Sequence, residues 1–399
     1  MKKFIMKLFD LRGVITDGAD IKETEILVKI RSPRTGGSCP RCGKWCRSVH
    51  DRRKRKIRHD VYEGRDVVLV LTVRRFLCKK CRIPFSEPYA PGLSRGRQSE
   101  HFRSKAIRKL ANGSFKTTGQ EMNVTFPTLL SFLAERKQEI PWPEGEIILN
   151  LDEHSFSGRD MKISVGIKNH RMLKDILPDD NKATLLSYLD GIPILVRGRI
   201  REVCIDMRAG YLSAILEKLP HAEVVVDKFH LIQELNRQME EIRKILQPFA
   251  NRGHRRINRF LLLKNKENLS PTERKKLNDV FRFYERFPTL KGCYIVKERV
   301  REMYRCQTKK EAEKIFDEIL SILEHVEVGK LAEIRRMLVR WRPYILNYFR
   351  SRTTNSYIEG CHNRIKLIKR ISYGFRNFTN YALKVTLAFA PLLFVNFPH

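Results

Sequence analysis

The sequence predicts a multidomain α/β protein: an N-terminal zinc-binding domain and a helix-turn-helix, then a mixed α/β core that carries an all-helical insertion. Three observations predict it. Two CxxC pairs, Cys39/Cys42 and Cys78/Cys81, stand in the amino-terminal part. Between residues 146 and 227, three apolar runs of strand character each end at an aspartate. From Leu231 to about Tyr348 the pattern is helical, rich in Glu, Lys and Arg, and without strand signals.

Length and charge narrow the function classes. At about 150 residues per domain, 399 residues make two or three domains, each able to bury a core. The 79 Lys and Arg exceed the 45 Asp and Glu, leaving a net charge of +34. That field favours a polyanion as partner over an acidic protein or a small neutral substrate. With 42% hydrophobic and 9% aromatic residues, the chain is too apolar for a basic disordered tail, so the charge sits on folded surface. Met1 to Lys7 starts like a signal peptide, but Lys7, Asp10 and Arg12 interrupt it before an apolar core forms. Residues 382–397 are apolar but contain Lys384 and Pro391 and fall short of the roughly 20 residues that span a bilayer. They read as a terminal core helix. The expectation is a cytoplasmic, nucleoid-associated protein with no membrane partner.

In chain order, residues 1–92 read as the zinc-binding domain. Nine cysteines without a secretion signal argue against disulfides and for metal. Each CxxC turn offers two thiolates, and Cys39, Cys42, Cys78 and Cys81 together make a tetrahedral Cys₄ zinc site. The 35 residues between the pairs exceed the usual spacing of about 15–20. Val67 to Val73 reads as a strand, so a hairpin can bring the pairs together; Cys46 is an alternative ligand, and free thiols are the reading without metal. Between the pairs, Arg52, Arg53, Lys54, Arg55, Lys56 and Arg58 form a basic run, either a solvated face or a phosphate contact.

Residues 93–142 read as the helix-turn-helix. A helix from Gln98 stops at Asn112-Gly113, a short one spans Thr117 to Met122, and after the turn Asn123-Val124 a third spans Thr125 to Lys137. In a helix-turn-helix the third lies in the major groove, with Thr125, Thr128 and Ser131 near base edges; a plain three-helix linker has the same pattern. Pro141 to Gly145 breaks the chain.

Residues 143–230 read as the first part of the core. A strand from Glu146 to Leu151 delivers Asp152, Glu153 and His154 at its end, and Met161–Ile167 and Met172–Leu177 complete an antiparallel meander. A helix over 179–189 follows. The runs ending in Asp206 and Asp227 come next, the latter leading into Lys228-Phe229-His230 at a helix start. An aspartate at a strand end is by default a helix N-cap, which suits Asp227; carboxylates converging from neighbouring strands also make an oxygen-rich site for Mg²⁺ or Mn²⁺. Residues 231–350 read as the insertion, two helix pairs broken near Asn268–Pro271 and Phe287-Pro288; it clamps DNA, binds a subunit or only scaffolds. Residues 351–399 read as the last part of the core. There Ile358, Cys361, Ile365 and Ile368 form an apolar stripe, and Glu359, Asn363, Lys366 and Arg370 a polar one roughly 150° away at 100° per residue.

The ordered set CPRCG, CKKC, Asp-Glu-His after a strand, IDM before a Tyr-containing helix, VVDKFH and TTNSYIEGCHNRIKLIKRISYGFRN resembles the DDE transposases of bacterial insertion sequences, specifically the ISL-three family. The resemblance covers the chain from Cys39 to about Leu387. It implies an RNase H-like core interrupted by a helical insertion, and a catalytic triad Asp152, Asp206 and Glu359 that holds two Mg²⁺ ions. The spacing fits, 54 residues from the first to the second and 153 to the third. Asp227 and His230 would fill a supporting D-x-x-H motif, and Asn363, Lys366 and Arg370 would contact DNA. Double-stranded DNA, as terminal inverted repeats and target, is the implied partner, and joining two ends implies a homodimer. The alternatives are a non-enzymatic DNA-binding regulator derived from a transposase and an RNase H-type nuclease.

Overall fold

The computed structural model describes residues 2–93, 96–136, 139–251, 257–283, 288–324 and 329–390. The chain groups into two compact units, one formed by residues up to Pro141 together with those from Arg364 onward, the other by Trp142–Asn363. Among the described residues no helix is long and apolar enough to cross a membrane.

The first unit opens with helix α1 (Lys2–Leu8) and strands β1 (Ile15–Ile21), β2 (Glu25–Arg31), β3 (Gly37–Ser38), β4 (Trp45–Cys46), β5 (Val49–Tyr62), β6 (Arg65–Cys78) and β7 (Ile83–Ser86). The expected hairpin is β5–β6, joined by Glu63 and Gly64, both left-handed. Along β6 the side chains of Val67, Leu69, Leu71 and Val73 alternate into the core, the period of two that a half-buried strand requires. β2 lies parallel to β6, and β1 closes the sheet beyond it.

Helices α2 (Glu100–Asn112), α3 (Phe115–Met122) and α4 (Phe126–Arg136) follow. Ser99 caps α2, and Ser114 caps α3 in a reciprocal box with Thr117. Asn123, left-handed, ends α3. Lys137, the expected end of the third helix, lies outside the described residues.

The second unit is built on strands β8 (Ile147–Ser157), β9 (Asp160–Ile167), β10 (Met172–Ile176), β11 (Ile200–Ile205) and β12 (Glu223–Val226), in the order β10-β9-β8-β11-β12. β8, β9 and β10 are the antiparallel meander; β8, β11 and β12 run parallel. Helices α5 (Lys182–Gly191), α6 (Ile194–Arg197) and α7 (Ala209–Lys218) make the connections. Two expectations are corrected here. β8 does not end at Leu151 but runs six residues further, because β9 pairs with it as far as Ser157. α5 starts at Lys182, not at 179, because the Asp179 carboxylate accepts the Asn181 N–H at 2.9 Å in a turn of its own.

The insertion holds α8 (Lys228–Asn251), α9 (Arg259–Leu263), α10 (Pro271–Phe283), α11 (Thr289–Met303), α12 (Lys309–Ile322) and α13 (Gly329–Ser351), six described helices where two pairs were expected. The break before Pro271 is present and Pro288 precedes α11; Phe287 lies outside the described residues. One of the overlooked breaks precedes α12, where Thr308 and Glu311 form a capping box legible as T-x-x-E.

Helix α14 (Ser356–Ile371) buries Ile358, Cys361, Ile365 and Ile368, the expected stripe. It leads to α15 (Phe378–Phe389); positions 391–397 of the expected terminal helix lie outside the described residues. Residues from Arg364 onward group with the first unit, whereas the sequence reading gave all of 351–399 to the core. The cause is the apolar cluster of α2–α4, which Leu383 and Leu387 complete, and the buried Lys384, whose Nζ donates to the carbonyls of Leu110 and Ala111 at the end of α2.

Candidate active site

Strand register sets three aspartates side by side. Asn150 pairs with Cys204 and Ile205 with Val226 in the parallel ladders. Two residues beyond the first pair stand Asp152 and Asp206, and one beyond the second stand Asp206 and Asp227. The Asp227 N–H donates to Ile205 O at 3.0 Å, which extends the ladder by that one step.

His230, one turn into α8, lies among them. Its Nε2 is 2.9 Å from Asp206 Oδ1 and 3.9 Å from both Asp152 Oδ1 and Asp227 Oδ2. Burial alone would lower the pKa of this imidazole; the hydrogen bond and charge of Asp206, with Asp152 and Asp227 adding, raise it instead to about 9. Burial and then the Asp206 charge push Asp152 up to about 7. Burial is also the main cause that lifts Asp227 to about 6, against the His230 charge and the Asn355 N–H. Asp227 Oδ2 is buried with no hydrogen-bond partner. Crowded, partly desolvated carboxylates with an unsatisfied oxygen suit a hard divalent cation. Donor atoms of Asp152, Asp206 and His230 lie within 4.8 Å of one another.

Glu359 is not in that trio. It lies one turn into α14, its N–H bonded to Asn355 O at 2.9 Å, and its charge is felt at Asp227. Asn355 ties the start of this helix to the strands. Its Nδ2 donates to Leu151 O at 3.1 Å and to Asp206 Oδ1 at 3.4 Å, while Asn150 Nδ2 donates to Asn355 Oδ1 at 2.7 Å. Gly166, opposite Asn150 on β9, lets α14 approach: a Cβ there would stand 2.7 Å from Ile358.

The sequence reading missed a polar chain on the same face. Ser164 is the cross-strand partner of Asp152, and its hydroxyl lies 2.9 Å from both His154 Nδ1 and His362 Nε2. His362 Nδ1 is 3.6 Å from Asp152 Oδ2. His154 was visible as the second residue after Asp152, hence on its face of a strand; nothing in the sequence singled out Ser164. The other nearby acids are occupied elsewhere. Glu153 accepts from Tyr211 OH at 2.6 Å and pairs with Arg208, and Asp160 pairs with Lys162 at 2.5 Å.

In the first unit the four sulfurs of Cys39, Cys42, Cys78 and Cys81 gather within 4.8 Å. Around one zinc ion, Zn–S bonds of about 2.3 Å put tetrahedral sulfurs about 3.8 Å apart; Cys42 and Cys78 are 3.7 Å apart. Both knuckles close alike, Gly43 N–H to Cys39 O at 2.8 Å and Arg82 N–H to Cys78 O at 2.7 Å, with Gly43 and Arg82 left-handed. The Cys81 N–H is the first of the hydrogen bonds that bring Cys78 down to about 6, while Cys42 and burial push Cys81 up to about 12. Cys46 stands outside the cluster, near Lys44 O.

The basic run lies on β5. Arg52, Arg53, Lys54 and Lys56 are exposed, and Arg55 donates to Tyr89 OH at 2.6 Å. Arg58 is taken up by the fold: it pairs with Asp66 and donates to Asn123 O at 2.8 Å and Met122 O at 3.0 Å, holding the end of α3. Arg58 thus differs from the exposed bases of its run in being engaged within the fold. Thr125 and Ser131 are exposed and Thr128 half-buried along α4, with the Thr125 and Thr128 hydroxyls 3.0 Å apart. Asn363, Lys366 and Arg370 are exposed on α14.

Comparison with known proteins shows the family. A transposase family model, of the DDE and ISL3 type, matches residues 149–385, and a model described as the zinc-finger of transposases IS204, IS1001, IS1096 and IS1165 matches residues 35–81. The chain is 26% identical over 363 residues, 88% of either chain, to the transposase for insertion sequence element IS1001 of Bordetella parapertussis. It is 23% identical over 256 residues, 57% of either chain, to the transposase for element IS1557 of Mycobacterium tuberculosis.

Proposed function

The chain belongs to the ISL3 family of DDE transposases, and from that premise we propose that Asp152, Asp206 and Glu359 carry DNA cleavage at insertion-sequence ends and strand transfer into a target, with Mg²⁺ or Mn²⁺ as the catalytic ion. The observation that supports this most is the three-strand register that aligns Asp152, Asp206 and Asp227 under a single imidazole. Asp152 and Asp206 are the oxygen ligands, and Glu359 joins them from α14. Divalent ions held by these carboxylates would supply activation of an attacking oxygen and stabilisation of the leaving one.

The protein's own groups do the remaining work. His230 neutralises the carboxylates when they hold no cation, and Asp227 orients His230 and the Asn355 N–H. Asn355 fixes the first turn of α14 and so the position of Glu359. The sheet with its interrupting helices is read as an RNase H-like core.

The amino-terminal unit supplies DNA recognition. Its Cys₄ cluster holds structural zinc, and α2–α4 form a helix-turn-helix with Thr125, Thr128 and Ser131 toward base edges. Arg52, Arg53, Lys54, Arg55 and Lys56 with Asn363, Lys366 and Arg370 meet phosphates. The active form is a homodimer, since two ends must be held together, and the protein works at the nucleoid.

The deciding experiment is a Mg²⁺- or Mn²⁺-dependent cleavage assay on DNA carrying the gene's own flanks, comparing wild type with Asp206→Asn. Cuts at the flank boundaries that vanish in the variant are expected. Cutting indifferent to the flanks would replace this reading with a nuclease, and binding without cutting with a regulator.

A further inference from the structure

Away from the carboxylates, the first unit contains a cleft of about 880 Å³ lined by the α3–α4 turn and by residues 372–380. Ligand sites run from about 300 to 1,000 Å³. Its walls are fixed by backbone. Val124 N–H donates to Gly119 O at 2.9 Å, and a Cβ on Gly119 would stand 2.8 Å from Val124 O. In the other wall α14 ends in a left-handed turn, Tyr373 at φ 55° and Gly374 at φ 87°, closed by the Gly374 N–H on Lys369 O at 2.9 Å.

The lining is chemically uneven in a telling way. Tyr373 is 88% exposed, a large aromatic face left in water at the cleft, and Phe126, packed against the Phe115 ring at 4.8 Å between centroids, is still 46% exposed. Lys116 and Arg376 are exposed and have no ion-pair partner among the described residues. Ser372 Oγ is buried in the same lining with no hydrogen-bond partner. Aromatic faces receive a base by stacking only when that base has no neighbour on it, and cations alongside receive its phosphates. A paired duplex offers the phosphates but keeps its base faces covered.

We propose that this cleft binds an unpaired nucleotide of a DNA strand, its base on the exposed aromatic faces and its phosphates on Lys116 and Arg376. The inference rests on the family's action on DNA and on none of the catalytic assignments above.

The test uses the full chain without added Mg²⁺ or Mn²⁺, so a protein unable to cut leaves the result standing. Anisotropy is recorded with a labelled thymidine homopolymer and with a duplex of the same length. Tyr373→Ala is expected to weaken homopolymer binding about tenfold, the loss of one stacked base, while Tyr373→Phe and duplex affinity stay at wild type. Arg376→Gln is expected to reduce the salt slope on the homopolymer by about 0.7. Unchanged homopolymer affinity in Tyr373→Ala would overturn the proposal. So would equal losses on both probes, which would make the cleft part of a duplex-binding surface; unchanged zinc content and melting temperature show that the variants are folded.

Discussion

His230 donates to Asp206 across 2.9 Å while standing 3.9 Å from Asp152 and from Asp227, so one imidazolium serves three carboxylates. The pKa values of three of these groups are raised, to about 7 for Asp152, about 6 for Asp227 and about 9 for His230. A group whose pKa is raised by folding contributes stability below its unfolded pKa and loses it as pH rises through the folded value. The metal-free protein is therefore expected to lose stability from about pH 4, where free aspartate titrates, to about pH 9. Divalent ions compete with those protons, so Mn²⁺ should raise the melting temperature more at about pH 8.5 than at about pH 6. Equal shifts at both would place the ion elsewhere.

Asp152→Asn, Asp206→Asn and Glu359→Gln should each abolish cleavage and leave DNA affinity near wild type. Glu359 is the sharpest case, because its carboxylate is outside the trio gathered within 4.8 Å. A Glu359→Gln protein that still cuts would remove it from the triad.

Gly166→Ala tests how α14 is seated. The added methyl meets Ile358 at 2.7 Å, and overpacking of this kind costs about 1–3 kcal/mol. Denaturant unfolding should register that loss, and Gly166→Ala combined with Ile358→Val should recover part of it. Full additivity of the two substitutions would mean that the contact does not position the helix.

For the zinc cluster, Cys42→Ser or Cys78→Ser should weaken metal binding by more than the roughly 10–100-fold typical of outer partners. Cys46→Ser should keep the zinc. Metal content by mass spectrometry or absorption decides, and loss of zinc in Cys46→Ser would make that residue a ligand.

Lys366→Gln and Arg370→Gln should each weaken duplex binding and reduce its salt slope by about one. A slope unchanged in either variant takes that side chain off the phosphate backbone.

The strands were legible because Val- and Ile-rich runs end at turn residues and aspartates, and the zinc knuckles because CxxC spacing is itself the geometry. β8 was read too short: Asp152-Glu153-His154 looks like a polar stop, yet the three alternate across the sheet, Asp152 and His154 toward Ser164 and Glu153 toward Tyr211. His362 passed unnoticed because its partner Ser164 lies 198 residues away. Asn355 was equally hidden, because its bonds to Leu151 and Asp206 reach 204 and 149 residues back along the chain. Likewise Arg58 looked like the other bases of its run; only the fold supplies Asp66 and the two carbonyls that occupy it.

The Asn150–Asn355 bond closes a span of 205 residues. The ribosome therefore makes the first aspartate long before the asparagine that fixes the glutamate-bearing helix, and the helical insertion must leave the exit tunnel between them. A nascent chain halted within that insertion already contains the zinc ribbon and all three aspartates, yet lacks Asn355 and Glu359. On the proposed assignment of Glu359, cutting power is acquired late in synthesis, and a chain interrupted within the insertion is expected to hold the three aspartates without cutting DNA.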